Sequence, residues 1–192
     1  MTPKILVFAG SLRTDSYNKK LAKAAAEFVR GAGAEATVVD LRDFKLPVYD
    51  GDEEVKQGLP EGAKRLKKIF LEHQGLLIAS PEYNSSVSGA LKNALDWVSR
   101  SESKDEPSLA CFSKKTAALV SASPGALGGL RGLVHLRAIL GNIGVLVLPG
   151  QVAVGKAHEA FDEKGALKDE KVASSVKKLM VDLVQILEKL NG

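Results

Sequence analysis

With one cysteine, Cys111, among its 192 residues, the chain can close no internal disulfide and build no cysteine-rich metal site. That scarcity fits a reducing compartment. His73, His135 and His158 stand far apart without ligand-like spacing, so no bound metal is expected either. Long apolar runs are missing too: although the hydrophobic share is 45%, no run approaches the roughly 20 residues of a membrane-spanning helix. Pro3 and Lys4 lead directly into a short apolar run, so no signal peptide and a cytoplasmic location are expected. No linker-like or low-complexity stretch interrupts the chain, and residues 1–192 read as a single domain with one well-filled core.

Two familiar phosphate-binding signatures are also absent. A Walker A loop would end in Gly-Lys-Ser/Thr where this chain has Ser16-Tyr17-Asn18, and the Gly-x-Gly-x-x-Gly spacing does not occur. A nucleoside triphosphate and a dinucleotide on a glycine fingerprint are therefore disfavoured. The formal net charge of +4 is a mild excess that favours anionic small molecules. Its basic residues are interleaved with Asp and Glu, with no zinc-finger spacing or stacking platform, so no nucleic-acid partner is expected.

What is present begins at Gly10–Asn18, Gly-Ser-Leu-Arg-Thr-Asp-Ser-Tyr-Asn, between the apolar run Ile5-Leu6-Val7-Phe8-Ala9 and a helical pattern starting near Lys19. A buried strand that turns through a Gly-Ser corner into a helix aims several backbone N–H groups and the positive helix end at one spot, which suits a phosphate. Ser11 and Ser16 add hydroxyls, Asn18 an amide and Arg13 a guanidinium that can grip phosphate oxygens in parallel. Ser, Asp and Asn are also ordinary turn and cap residues, so the stretch alone admits a plain turn or an anion site. Its position at a strand end favours the anion.

Leu21, Ala24, Ala25, Phe28 and Val29 recur at helical spacing, and Ala36–Val39 is a β-branched run that reads as a second strand. Residues 42–61, with Pro47, Gly51, Gly58 and Pro60, read as a long surface excursion. A second helix carries Ala63, Leu66, Ile69 and Phe70, and a third strand spans Gly75–Ala79, apolar throughout as for a strand covered on both faces. Its end opens into the polar loop Ser80–Gly89, followed by a helix with Leu91, Ala94, Leu95 and Val98. After a loop over residues 100–114, a fourth strand, Thr116–Val120, runs into the small-residue loop Ser121–Gly129. A helix with Leu130, Leu133, Leu136 and Leu140, a fifth strand Val145–Leu148 and a closing helix striped by Val172, Val176, Leu179, Met180, Leu183, Leu187 and Leu190 complete the pattern. Alternating strands and helices imply a parallel sheet with helices on both faces. The order 2-1-3-4-5 makes the ends of strands one, three and four neighbours, where the unusual loops lie.

Three segments in this order resemble the NAD(P)H-dependent FMN reductase family, and within it the quinone and chromate reductases: Gly10-Ser11-Leu12-Arg13-x-x-Ser16-x-Asn18, Pro81-Glu82-Tyr83-Asn84 and Gly89-x-Leu91-Lys92-Asn93-Ala94-x-Asp96-Trp97. The resemblance covers nearly the whole chain. It implies a flavodoxin-like three-layer α/β sandwich, FMN bound non-covalently, and NADPH or NADH as electron donor. The implied phosphate site is the first loop, with Ser11, Leu12, Arg13, Ser16, Tyr17 and Asn18. The implied ring site is Pro81, Glu82, Tyr83 and Asn84, bordered by Ser121, Ser123 and Gly125. Electrons would pass to quinones, chromate, azo compounds or ferric complexes by a ping-pong sequence, in a homodimer or homotetramer with the third and fourth helices at the interface.

Because flavin carries its own redox chemistry, no catalytic acid, base or nucleophile is expected. Glu82 reads as a loop acceptor rather than a base, Tyr83 as a ring neighbour rather than a core cap, and Trp97 as core or interface. Arg100 is a subunit contact, an anion-binding group or a solvated side chain. A flavodoxin-type electron carrier is disfavoured by the basic balance and the arginine in the first loop, and a phosphoaccepting switch by Ala9-Gly10-Ser11 where acids would be needed.

Overall fold

The structure, a computed structural model, describes residues 1–191. Along the chain run β1 (Lys4–Ala9), α1 (Tyr17–Gly31), β2 (Glu35–Val39), α2 (Gly51–Gln57), α3 (Glu61–Glu72) and β3 (Gly75–Ala79). A two-strand hairpin, β4 (Glu82–Tyr83) and β5 (Ser86–Val87), leads into α4 (Gly89–Ser99). The chain then forms β6 (Thr116–Ala122), α5 (Leu130–Asn142), β7 (Leu146–Val154) and α6 (Glu170–Asn191). The main sheet has the order β2-β1-β3-β6-β7, all parallel, which is the expected 2-1-3-4-5 arrangement.

Period-two alternation divides the strands between two cores. Ile5, Val7, Ala9, Leu77, Ala79, Ala118 and Val120 pack under α1 and α6. Leu6, Phe8, Leu76, Ile78, Ala117 and Leu119 meet α3, α4 and α5 on the other face. In register, Val7 lies beside Leu77 and Leu77 beside Ala118, so the ends of β1, β3 and β6 open on the same rim.

Four expectations need correction. Residues 42–61 are more than an excursion: a 3-10 turn over Leu41–Phe44 precedes α2, which buries none of its side chains. The Asp50 carboxylate caps α2, accepting from the N–H groups of Asp52 (2.8 Å) and Glu53 (3.4 Å). β6 runs two residues beyond Val120, which puts Ser121 and Ala122 in the strand rather than in the loop. β7 does not stop at Leu148; Ala117 pairs with Val147 and Leu119 with Gln151, a bulge that absorbs Pro149 and Gly150 on the edge strand. Leu190, counted in the apolar stripe of α6, is 60% exposed.

Trp97 is core: it is buried with Leu59 and Ala63, and its Nε1 donates to the Pro47 carbonyl at 2.7 Å. Arg100 is engaged within the chain, its Nε 2.9 Å from a Glu54 oxygen and its guanidinium over the Tyr49 ring. No described helix is long and apolar enough to cross a membrane.

Candidate functional site

The three loops that follow β1, β3 and β6 meet at the C-terminal rim of the sheet, as the strand order requires. Hydrogen bonds stitch that rim: Gly10 N–H donates to Ala79 O, and Ser80 N–H to Val120 O, each at 2.9 Å. The Ser88 hydroxyl donates to Gly10 O while accepting from Leu91 N–H (3.1 Å), so the cap of α4 also fixes the end of β1. Gly10 is needed for this approach, since a Cβ there would lie 2.8 Å from the Cβ of Leu91.

In the first loop, Ser11 is buried and its Oγ accepts from Arg13 N–H (3.3 Å). Ser16 caps α1, accepting from Lys19 N–H (3.4 Å). Tyr17 is half-buried with the Lys20 ammonium 5.7 Å from its ring centre, and Leu12 is exposed. The backbone N–H groups of Leu12, Thr14, Ser16, Tyr17 and Asn18 have no partner among the described residues, and the exposed Arg13 guanidinium has neither a hydrogen bond nor an ion pair. No acidic residue occupies the first turn of α1. The flanking lysines are already matched, Lys19 with Asp40 and Lys20 with Asp15, each at 2.7 Å. Asn18 differs from the expected free donor: its Nδ2 donates to Ala122 O (2.8 Å) and its Oδ1 accepts from Ala122 N–H (2.9 Å), so only one amide hydrogen remains. It ties α1 to the end of β6.

The second loop is the hairpin. Pro81 is buried, and Asn84 and Ser85 turn the chain with φ of 50° and 64°, a left-handed pair that suits a two-residue connection. Tyr83 and Asn84 are exposed, so Tyr83 does not cap the core. Glu82 is an acceptor, as expected: Oε1 receives Arg131 Nε (2.9 Å) and Nη2 (2.6 Å), and Oε2 receives Gly132 N–H (3.1 Å). Burial alone would raise the Glu82 carboxyl, but Arg131 and the Gly132 N–H outweigh it and hold it below the usual carboxylate range. A carboxylate committed in this way is a poor general base. In the third loop Ser123 N–H donates to Val154 O (3.0 Å), its Oγ accepts from Gly125 N–H (3.3 Å), and Gly125 is exposed. The Ser121 hydroxyl is buried beside Gly129 and has no partner among the described residues.

Sequence reasoning missed Arg131, Gly132 and His135, whose Nδ1 lies 2.9 Å from Ser86 Oγ. No local pattern could have found them, because each partner lies 49 or 50 residues away.

The family model of NADPH-dependent FMN reductases matches residues 3–159. The chain belongs to that family. An NAD(P)H-dependent FMN reductase of Pseudomonas aeruginosa is 35% identical over 98% of this chain and 97% of its own length. A quinone reductase of Pseudomonas putida is 36% identical over 86% of this chain and 85% of its own. Among solved structures, the flavoenzyme NAD(P)H:(acceptor) oxidoreductase FerB of Paracoccus denitrificans superposes with a TM-score of 0.82 at 29% identity, each chain 98% covered. Family membership makes this reductase an oxidoreductase that works with FMN and takes electrons from NAD(P)H. The residues present fit such a group: unspent N–H donors and a free guanidinium suit a phosphate, and the exposed hairpin suits a planar ring.

Proposed function

We propose that this reductase holds FMN at the rim of β1, β3 and β6 and passes electrons from NADPH or NADH to quinones and other small oxidants, chromate, azo compounds and ferric complexes among them. One observation carries the reading: backbone donors left unpaired at the start of α1 share one loop with an Arg13 guanidinium that makes no hydrogen bond, the first turn of α1 holds no acid, and the one carboxylate of the loop, Asp15, is paired with Lys20. In this reading Ser11, Arg13, Ser16 and the remaining amide hydrogen of Asn18 hold the phosphate, flanked by Leu12 and Tyr17. Pro81, Glu82, Tyr83 and Asn84 lie along the ring, with Ser121, Ser123 and Gly125 at its border. FMN held there would supply the redox chemistry that links donor and acceptor.

The protein's own contribution is placement. Hairpin N–H groups and the left-handed Asn84-Ser85 turn offer fixed dipoles to the ring edge, and no side chain has to donate or accept a proton. Donor and acceptor take turns on one exposed face, which gives ping-pong kinetics. Leu127, Leu130 and Val134 leave the start of α5 apolar and exposed, which favours a homodimer or a homotetramer built on it. A cytoplasmic setting is consistent with the single buried thiol.

Anaerobic titration of the yellow holoprotein with NADPH tests the reading. The visible flavin band is expected to bleach with one equivalent of donor and return on adding a quinone, with parallel double-reciprocal plots in steady state. A bound flavin that neither NADPH nor NADH bleaches would overturn it.

A further inference from the structure

β4 and β5 contain two residues each, too few to hold a hairpin in water without support. The support is the first turns of α5. Arg131 and Gly132 clamp the Glu82 carboxylate through three hydrogen bonds, and His135 meets the Ser86 hydroxyl. The absence of a side chain lets the two elements close: a Cβ on Gly132 would stand 3.2 Å from Ser86 O and 3.3 Å from the Glu82 Cβ. Within the clamp the partners are unequal. The Glu82 side chain is 9% exposed, whereas that of Arg131 is 59% exposed and reaches in from the surface.

We propose that Arg131 is a positioning residue for the flavin: it seats the hairpin and cancels the Glu82 charge beside the ring, which favours reduction of bound FMN. The inference rests on the reading above that the ring lies along Pro81–Asn84. A reduced ring is richer in electrons than an oxidised one, so a bare carboxylate beside it opposes reduction and a bare guanidinium assists it. With one end of its clamp removed, Glu82 keeps its charge and only the Gly132 N–H. With its carboxylate neutralised, the pair leaves an uncancelled cation. The two changes therefore have opposite signs, which loosening of the hairpin alone would not produce.

The experiment measures the midpoint potential of bound FMN and the Kd for oxidised FMN in the holoprotein and in Arg131→Ala, Arg131→Lys, Glu82→Gln and, as a phosphate-loop control, Arg13→Ala. Arg131→Ala is expected to lower the potential and Glu82→Gln to raise it, each shifting the relative affinity for reduced and oxidised FMN by roughly five- to tenfold, as for unit charges some way apart in a partly solvated site. Arg131→Lys is expected to return the potential close to its original value. Amide hydrogen exchange over residues 82–87 is expected to quicken in Arg131→Ala and much less in Arg131→Lys. Should Arg131→Ala fold poorly, the Arg131→Lys and Glu82→Gln potentials still decide. Potentials that move in the same direction in Arg131→Ala and Glu82→Gln, or that do not move, while Arg13→Ala weakens FMN, would overturn this proposal and leave the flavin site standing. Unchanged FMN affinity in every variant, Arg13→Ala included, would overturn the flavin site and this proposal together.

Discussion

Asn18 is buried and exchanges two hydrogen bonds with the backbone of Ala122, as a neighbouring strand residue would. Asn18→Ala strands both the N–H and the carbonyl of Ala122, and each buried group left unsatisfied costs about 1–3 kcal/mol. Urea unfolding of Asn18→Ala is expected to show a loss of that order, with the midpoint lowered and the slope unchanged. Cys111 illustrates the opposite case, a group with chemistry but no access. Its thiol is buried and burial pushes it up to about 11, so it remains protonated at neutral pH. A disulfide reagent at pH 8 should leave the native protein unmodified and titrate its single thiol only after unfolding. A free Arg13 reads off the sequence because it stands within the loop it serves. The commitment of Asn18 does not, since its partner is 104 residues away.

Among elements, the ones legible in sequence carry their own burial. β3 matches its expected bounds because all five residues are apolar and buried, and α1 and α3 follow their apolar spacing. α2 lacks that signal. With no buried side chain, it is held by the Asp50 cap and by the Glu54 link to Arg100, neither of which hydrophobic periodicity reports. The bulge in β7 was hidden for a related reason: Pro149-Gly150 looks like a stop, and only pairing with β6 shows that the strand resumes. The end of β1 lies close against α4. Gly10→Ala would press a methyl group against the Leu91 side chain, with Cβ–Cβ at 2.8 Å, and force the rim apart. Overpacking of this kind costs roughly 1–3 kcal/mol, so a fall in thermal midpoint together with weaker FMN binding is expected, read by calorimetry and fluorescence titration.

For the whole molecule, acid stability follows from a shared arrangement. Burial raises the carboxyls of Asp40, Glu54, Glu82 and Glu106, but hydrogen-bonded cations outweigh it in every case: Lys19 and Arg42, Arg100, Arg131 and Lys67 respectively. A carboxyl held lower in the folded than in the unfolded chain contributes stability that is fully present above its unfolded value. That stability is lost as pH falls through the folded value. The thermal midpoint is therefore expected to be flat with respect to these groups near neutrality and to drop below about pH 4; a midpoint unchanged down to pH 2.5 would deny them that role. These ion pairs join elements distant in sequence.

The rim of β1, β3 and β6 is proposed to recognise the phosphate of FMN before anything else, and comparing FMN with riboflavin isolates the phosphate in a single chemical step. Fluorescence titration of the apoprotein is expected to show FMN bound at least about a hundredfold more tightly than riboflavin. Arg13→Ala should weaken FMN by about 1.5–3 kcal/mol, the scale of a hydrogen bond to a charged group, and leave riboflavin almost untouched. Equal affinity for the two flavins, or an Arg13→Ala change that weakens both alike, would contradict the account.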